Sequence, residues 1–530
     1  MSCQKPSKPH KKPTDQVAVL MVINARQQEE ISHLKRQLEW FRRHLFGQKS
    51  ERRNPDLYSL QLAFSDLGGE GNTPPPAPDT QTVAAHSRNK PAKPTPPAED
   101  GLFFDESKLP VETITLPCKE AEGLDPAQYE IVSEKVSHRL AQRPASYVIL
   151  KYVRPVIKLK ETQTLVCAPA PQGVLDNSRA DVSFLAGMVV DKFLYHQPLY
   201  RQHQRLGSNG VTVSRPWLTQ LTHAALELLR PIHQAQLESI RTSRVITMDE
   251  TPVKAGRTDQ GQMKTGYFWP VYGEQDEICF LFYPDRQHKR VAQALQSEHA
   301  PADAVLLTDG YGAYAKYATQ LGLTHAQCWV HSRRKFHNAR GVEPERAEIA
   351  LNLIGQIYRV EEDIRAAQLT GKEKQSHRLK HSKPVVESFF AWIEEQFRKQ
   401  DFLPSSPLTE AMGYAREREA GLRVFLNDPE VPPDTNHLER ALRVIPMGKK
   451  NWNFCWTEVG AELTGVAQSL ITTCRLHDIN PYDYLVDVLQ RVGQHPARDI
   501  GQLTPRCWKA HFADNPLRSD LYRFTQHSHS

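Results

Sequence analysis

Three carboxylates stand out by the company they keep. Asp249 closes the apolar run V-I-T-M and is followed by Glu250. Asp309 ends the run A-V-L-L-T and precedes Gly310 and Gly312. Glu439 sits in D-T-N-H-L-E-R-A-L-R, just after Pro432-Pro433. Carboxylate oxygens are the donors that hard divalent cations require. Two Mg²⁺ ions roughly 3.5–4 Å apart stabilise both the attacking and the leaving oxygen of an in-line phosphoryl displacement. Taken singly, each residue has a plainer reading: a solvated turn for Asp249, a strand-end cap for Asp309, and for Glu439 an exposed helix position or a salt bridge to Arg443 four residues on. The chemistry needs all three at one point.

The flanking residues say which elements would carry them. S-R-V-I-T-M-D-E-T-P-V reads as a buried strand. Side chains alternate across a strand, so Asp249 is expected on one face with Val245 and Thr247, and Glu250 on the other with Ile246 and Met248. T-G-Y-F-W-P-V-Y-G and I-C-F-L-F-Y-P-D-R read as a hairpin. H-K-R-V-A-Q-A-L-Q-S-E-H reads as a helix, and A-V-L-L-T-D as a strand whose polar end faces the functional crevice of an open α/β sheet. T-H-A-Q-C-W-V-H then reads as a strand leading into the helix S-R-R-K-F-H-N-A-R. Residues 342 to about 430 are mainly helical, with breaks near Gly371 and Pro404. Asp434 is expected to cap the next helix, which puts Glu439 in its second turn.

Upstream, V-E-T-I-T-L-P, Y-V-I-L-K-Y-V-R-P-V-I-K-L-K-E-T and T-L-V-C-A-P read as β-strands or ribbons. Residues 181–240 turn helical. Gly207-Ser208-Asn209-Gly210 interrupts them, and a new helix opens with Ser214 as N-cap and Pro216 in its first turn. Helix, short turn, helix is the helix-turn-helix order, and its second helix would present Arg215, Trp217, Thr219 and Gln220 to base edges. An ordinary helical hairpin is the alternative. Near the N-terminus, Ile31, Leu34, Leu38, Phe41 and Leu45 form a zipper-like stripe that serves either self-association or packing. It runs into the basic cluster Arg42, Arg43, Lys49, Arg52 and Arg53.

Composition narrows the class. Of 530 residues, 38 are proline, above the roughly 5% of average proteins, and they concentrate at 74–97 in a linker that cannot bury a core. The longest clean apolar run, Val17 to Ile23, is far short of a membrane span, and no secretory signal is legible. Eight scattered cysteines suit a reducing compartment rather than a disulfide scaffold. The net charge of +6 points weakly to a polyanionic partner. Phosphate-loop, His-Glu-x-x-His, Gly-x-Ser-x-Gly and Cys-x-x-Cys motifs are absent. Arg333, Arg334 and Lys335, with Lys449, Lys450 and Trp452, set cations beside an aromatic near the carboxylates; they read either as DNA contacts or as a solvated basic face.

Four blocks carry a family resemblance: M-D-E-T-P-V-K with K-T-G-Y-F-W-P-V-Y, L-L-T-D-G-Y-G-A-Y, C-W-V-H-S-R-R-K-F, and T-N-H-L-E-R-A-L-R-V-I-P-M-G-K-K-N-W. In this order they resemble the catalytic region of the insertion sequence 66 (TnpC-type) transposases. R-R-H-L-F-G-Q-K-S-E-R and H-Q-P-L-Y-R-Q resemble that family's N-terminal zipper and the segment before its catalytic domain. The resemblance spans about residues 20–490.

It implies an α/β multidomain chain with a ribonuclease-H-like catalytic core. The expected order is a disordered basic tail (1–15), a coiled-coil-like helix (16–55), a proline-rich linker (56–110), a β-ribbon like a degenerate zinc finger (111–175) and a helix-turn-helix-like DNA-binding region (176–243). The core follows in two parts (244–340 and 431–490) around a helical insertion (341–430), with a C-terminal tail (491–530). It further implies a DDE triad of Asp249, Asp309 and Glu439 holding two Mg²⁺ ions. Arg440 joins the DNA-contacting residues, and Cys328 and His331 are read as supporting the active site, against plain packing. The implied partners are double-stranded DNA, both element ends and target, and further copies of the chain; accessory proteins are left open, and no membrane is involved. The implied location is the bacterial cytoplasm, at the nucleoid.

The family's paired Cys-x-x-Cys ligands are missing. Lys119 follows Cys118 and Ala168 follows Cys167, so no zinc is expected. Asp434-Thr435-Asn436 also stands where Asp-Asn-Asn is frequent. A DNA-binding regulator, or a structure-specific nuclease on the same core, is the rival reading.

Overall fold

The computed structural model describes residues 109–525 except 123, 144–145, 260–261, 297–300, 302 and 400–402, together with Asn24 and Gln27. The expected basic tail, the zipper helix apart from Asn24 and Gln27, and the proline-rich linker up to residue 108, with Arg42, Arg43, Lys49, Arg52 and Arg53, lie outside the described residues. No described helix is long and apolar enough to cross a membrane.

A first sheet is built on a long ribbon. Strands β2 (Tyr129–Arg143) and β3 (Ser146–Leu159) pair antiparallel along their length, with one irregularity between Ile131 and Ser133. β1 (Val111–Thr115) runs parallel to β3, and β4 (Leu165–Cys167) pairs with its far end. Near the turn Leu140, Ala141, Val148, Ile149 and Leu150 are buried, whereas Ile131, Val132 and Val136 at the far end are exposed. Only half of the ribbon therefore joins a core. Cys118 donates to Glu120 at 2.9 Å and Cys167 faces the Arg154 carbonyl.

Helix α1 (Val182–Phe193) is buried nearly all round and starts at Asp181, whose carboxylate accepts the Ser183 N–H at 2.9 Å. Helices α2 (Leu199–Ser208) and α3 (Arg215–Arg241) follow. Ser214 caps α3 through the Trp217 N–H at 3.3 Å, with Pro216 in its first turn, as expected from the sequence. Arg215, Thr219 and Gln220 are exposed. Trp217 is not presented outward: it packs on the first core, 6.1 Å from the Phe184 ring. The second half of α3 runs under the next sheet, where Leu237 and Ile240 are buried and Gln236 donates to the Ile278 carbonyl at 2.8 Å.

The second sheet has β5 (Val245–Met248), β6 (Thr251–Asp259), β7 (Gln262–Tyr272), β8 (Ile278–Tyr283), β9 (Val305–Thr308) and β10 (Thr324–Gln327). Its order is β10-β9-β5-β7-β6, with β8 on the remaining edge of β7. β5, β9 and β10 are parallel; β7 is antiparallel to β5, β6 and β8. The four residues of β5 and the four of β9 are all buried, the mark of strands covered on both faces. α4 (Lys289–Leu295) and α5 (Gly312–Leu321) cover part of the sheet, with Val291, Ala294 and Tyr314 in its core.

α6 (Trp329–Ala339) follows β10 directly, starting three residues before the expected helix. The long helices α7 (Pro344–Ala366) and α8 (Gly371–Lys399), then α9 (Pro407–Glu417), α10 (Glu419–Leu422) and α11 (Val424–Asn427), make the helical stretch expected at 342–430. They share a core with α6 through Trp329, Phe336, Phe389 and Phe425. One arginine ties this bundle to the sheet and another ties its helices together. Arg244, at the mouth of β5, pairs with both oxygens of Asp428 at 2.6 and 3.0 Å. Arg378, fully buried, grips Glu361 and donates to the carbonyls of Phe425 and Val431.

The chain then returns to the sheet as α12 (Asn436–Leu442), α13 (Val444–Trp452) and α14 (Glu458–Leu476). α14 lies against β8, where a Cβ on Gly465 would meet the Phe280 carbonyl oxygen at 2.2 Å. Only glycine allows that approach. α15 (Pro481–Arg491) completes the first core. Within the expected tail, a 3-10 turn (Ala497–Leu503), α16 (Pro505–His511) and α17 (Asp520–Thr525) are folded. Leu503 and Trp508 are buried, and the Tyr152 hydroxyl donates to Asp520 at 2.8 Å.

Candidate active site

The site is built where strands stop. β5 ends at Met248, opposite Val271 of β7. The chain rejoins the same β7 edge at Thr251, opposite Phe268. Asp249 and Glu250 lie between, outside the ladder, so strand alternation no longer assigns them to opposite faces. This corrects the sequence reading. One oxygen each from Asp249, Glu250 and Asp309 lie within 4.8 Å of one another. Asp309 follows the end of β9, the parallel neighbour of β5, and its Oδ1 accepts the Tyr311 N–H at 2.9 Å.

Crowding and burial show in the electrostatics. Burial, then the Glu250 charge and more weakly those of Asp309 and Glu439, push Asp249 up to about 7. Burial also raises Glu250, against hydrogen bonds from Tyr314 and Arg286 that favour its charge. Arg286 donates to Glu250 Oε1 through Nε at 2.7 Å and also through a terminal nitrogen, while the Tyr314 hydroxyl donates to Oε2. The Arg286 guanidinium in turn stacks on Tyr311 at 4.1 Å. Glu250 is thus held from both oxygens, whereas Asp249 accepts the adjoining Glu250 N–H at 2.7 Å.

Glu439 approaches from α12. It stands in the first turn of that helix, not the second. Thr435 is the capping position, and Asp434 one residue earlier accepts the Asn436 N–H at 2.9 Å. Glu439 does not use Arg443. His331 Nε2 lies 3.9 Å from its Oε1, and Arg334 lies 3.8 Å from its Oε2. Glu439 Oε1 is buried with no hydrogen-bond partner among the described residues, as is His331 Nδ1. Burial lowers the His331 pKa, against the raising effect of Glu439.

The start of α12 is pinned to the start of α6. The Trp329 N–H donates to the Pro433 carbonyl at 3.0 Å, and the Thr435 N–H donates to the Cys328 sulfur at 3.4 Å. Cys328 is buried, which pushes its thiol up to about 11. His325 sits on β10 with Nε2 2.9 Å from the Thr308 hydroxyl, and burial holds it down at about 4, so its ring is neutral near pH 7.

The expected DNA-contacting residues are distributed as follows. Arg334, Lys335, Arg440 and Lys450 are exposed and Arg333 is half-buried. Lys335 stacks 5.4 Å from the Tyr414 ring, and Lys449 donates to the Pro252 carbonyl at 2.5 Å. Trp452 does not offer a face: it is partly buried against the core under α12, with Gly448 beneath its indole and Nε1 without a hydrogen-bond partner among the described residues. The residues that sequence reading missed are Glu250, Arg286, Tyr314, Tyr414 and Arg418. Pro252 was a usable signal for Glu250, because a proline beside a strand marks an edge or an irregularity. Arg286 and Arg418 carry no local signal.

Fold and site first define a class: a mixed α/β protein whose carboxylates converge past the ends of neighbouring parallel strands. Residues 177–463 match the model described as Transposase IS66 family, residues 469–506 match the IS66 C-terminal element, and residues 33–114 match Transposase C of IS166 homeodomain. The chain therefore belongs to the IS66 family of transposases. Three relatives come from Sinorhizobium fredii (strain NBRC 101917 / NGR234). The uncharacterized protein y4hP is 25% identical over 504 residues, covering 90% of this chain and 88% of that protein. The uncharacterized protein y4jD is 29% identical over 399 residues, covering 72% and 76%. The uncharacterized protein y4qI is 28% identical over 398 residues, covering 71% and 71%.

Proposed function

We propose that the chain binds the ends of its insertion sequence and performs metal-dependent strand cleavage and strand transfer. Asp249, Asp309 and Glu439 are its DDE triad on a ribonuclease-H-like core. The observation that carries this reading is the buried Glu439 Oε1 without a hydrogen-bond partner, on a carboxylate whose charge acts on Asp249, itself within 4.8 Å of Asp309. An orphaned buried carboxylate oxygen is costly unless something fills its lone pairs.

The donor set fits Mg²⁺: the clustered ligands are all carboxylate oxygens, and among the described residues no thiol joins them to favour a softer ion. Bound there, two Mg²⁺ ions would supply a nucleophilic oxygen and charge stabilisation on the reacting phosphate. The chain's own residues do the rest. Glu250, locked by Arg286 and Tyr314, fixes the turn that aims Asp249. Cys328 and Trp329 hold the head of α12, which carries Glu439 toward the cluster that Asp249, Glu250 and Asp309 form. His331 and Arg334 flank the Glu439 carboxylate at 3.9 and 3.8 Å, and burial, which lowers the His331 pKa, weakens the pull of the first of them. Arg334, Lys335, Arg440 and Lys450 supply exposed positive charge for the phosphate backbone.

The test is a strand-transfer reaction with end-containing DNA, a target plasmid and Mg²⁺. Joined products support transposition. Cut ends without joining would replace this reading with a nuclease, and binding without cutting would replace it with a regulator.

A further inference from the structure

Beyond α13 the chain turns at Asn453, whose φ of 61° lies in the left-handed region. It then runs along the open edge of β6. The Cys455 N–H donates to the Lys254 carbonyl at 2.9 Å, and the Gly256 N–H donates to the Cys455 carbonyl at 3.1 Å. Cys455 is buried at 9%, while Trp456 is 59% exposed. Lost burial of an indole is among the larger penalties a surface can carry, so a presented tryptophan calls for a partner. The Arg257 guanidinium lies 4.2 Å from the centre of the Trp456 ring, and Phe454 meets the same ring edge-on at 4.9 Å.

The surroundings are basic. Arg257, Lys254 and Lys450 are exposed and have no carboxylate partner among the described residues. The nearby Glu458 is paired with Lys264 at 3.3 Å. Lys254 donates to the Thr265 hydroxyl at 2.7 Å, a neutral partner that leaves its charge uncompensated. A flat cation–π pair among such cations matches a ligand that offers both phosphates and open π faces. Bases within a duplex are stacked and closed to such a pair, whereas an unpaired base gains from stacking on either member. The position also fits. β6 begins beside Glu250, and at about 3.3 Å per residue Arg257 lies roughly 20 Å along the strand from it, a few nucleotides from a phosphate at the carboxylates.

We propose that Arg257 and Trp456 form a shelf that stacks an unpaired base of the DNA strand leading to the reacting phosphate. The proposal rests on the DNA-binding reading above and adds a site and a ligand class to it.

Fluorescence anisotropy tests it with the full chain, Mg²⁺ absent, a blunt duplex, and the same duplex carrying a single-stranded thymidine tail. Wild type should bind the tailed form more tightly. Trp456→Ala should weaken the tailed form roughly tenfold and leave the blunt form unchanged, while Trp456→Phe keeps most of the difference. The salt dependence should not change in Trp456→Ala, because stacking displaces no counterions. Unchanged tailed-DNA affinity in Trp456→Ala, or an equal loss on both forms, would overturn the shelf alone. A wild-type chain that binds neither form would overturn the DNA-binding reading together with it.

Discussion

The backbone N–H of Thr435 donates to the buried sulfur of Cys328 at 3.4 Å, and the Thr435 hydroxyl donates to the same atom at 3.3 Å. A single thiol thus ties the helix that carries Glu439 to the end of β10. Cys328→Ala leaves two donors without an acceptor and opens a small gap. It should cost about 1–2 kcal/mol in urea unfolding and slow strand cleavage. Cys328→Ser, which keeps an acceptor, should recover most of both.

Asp249 titrates at about 7 in the folded chain against 3.8 for an ordinary aspartate. Between those values the folded state holds a proton that the unfolded state has released, so stability falls as pH rises through this window. Asp249→Asn removes that contribution. With metal chelated, the variant should unfold at about the wild-type temperature at the acid end of the window and at a higher temperature near neutrality. Mg²⁺ should raise the wild-type midpoint at neutral pH and leave the variant's in place. Parallel profiles for the two proteins would remove the case for a crowded, charge-strained cluster.

Gly310 follows Asp309 under the helical bundle. A Cβ there would meet the Tyr414 hydroxyl at 2.5 Å and Arg418 Nε at 2.7 Å, and Arg418 already donates to the Gly310 carbonyl at 3.2 Å. Gly310→Ala should cost about 1–3 kcal/mol through overpacking and reduce Mg²⁺-dependent activity. Adding Tyr414→Phe, which deletes the closest atom, should return part of both.

Arg378 shows how far from the carboxylates the site's support extends. Its guanidinium holds Glu361 and the carbonyls of Phe425 and Val431, on the path that leads to α12. Arg378→Leu strands the half-buried Glu361 carboxylate and the carbonyls of Phe425, Asp428, Pro429 and Val431, so denaturant unfolding should show a loss of about 3–5 kcal/mol.

The sequence made some of this visible. The apolar runs before Asp249 and Asp309 were readable as buried strands because both faces of β5 and β9 are covered. The Ser214 cap and the hairpin of β7 and β8 follow from local chemistry that needs no tertiary context. Glu250 was hidden because the alternation rule presumes an unbroken ladder, and the ladder breaks at that point. Trp217 and Trp452 were read as presented faces, yet both pack inward, since burial of an aromatic depends on which distant helix lies over it. The Arg286 and Cys328 contacts join segments far apart in the chain, and no local pattern encodes such a meeting.

The most direct test of the central claim is Mg²⁺-dependent cleavage of end-containing DNA by Asp249→Asn, Asp309→Asn and Glu439→Gln beside wild type, with DNA binding measured in parallel. The account predicts that each variant binds the DNA and none cuts it. Wild-type cleavage by any one of the three would contradict the triad.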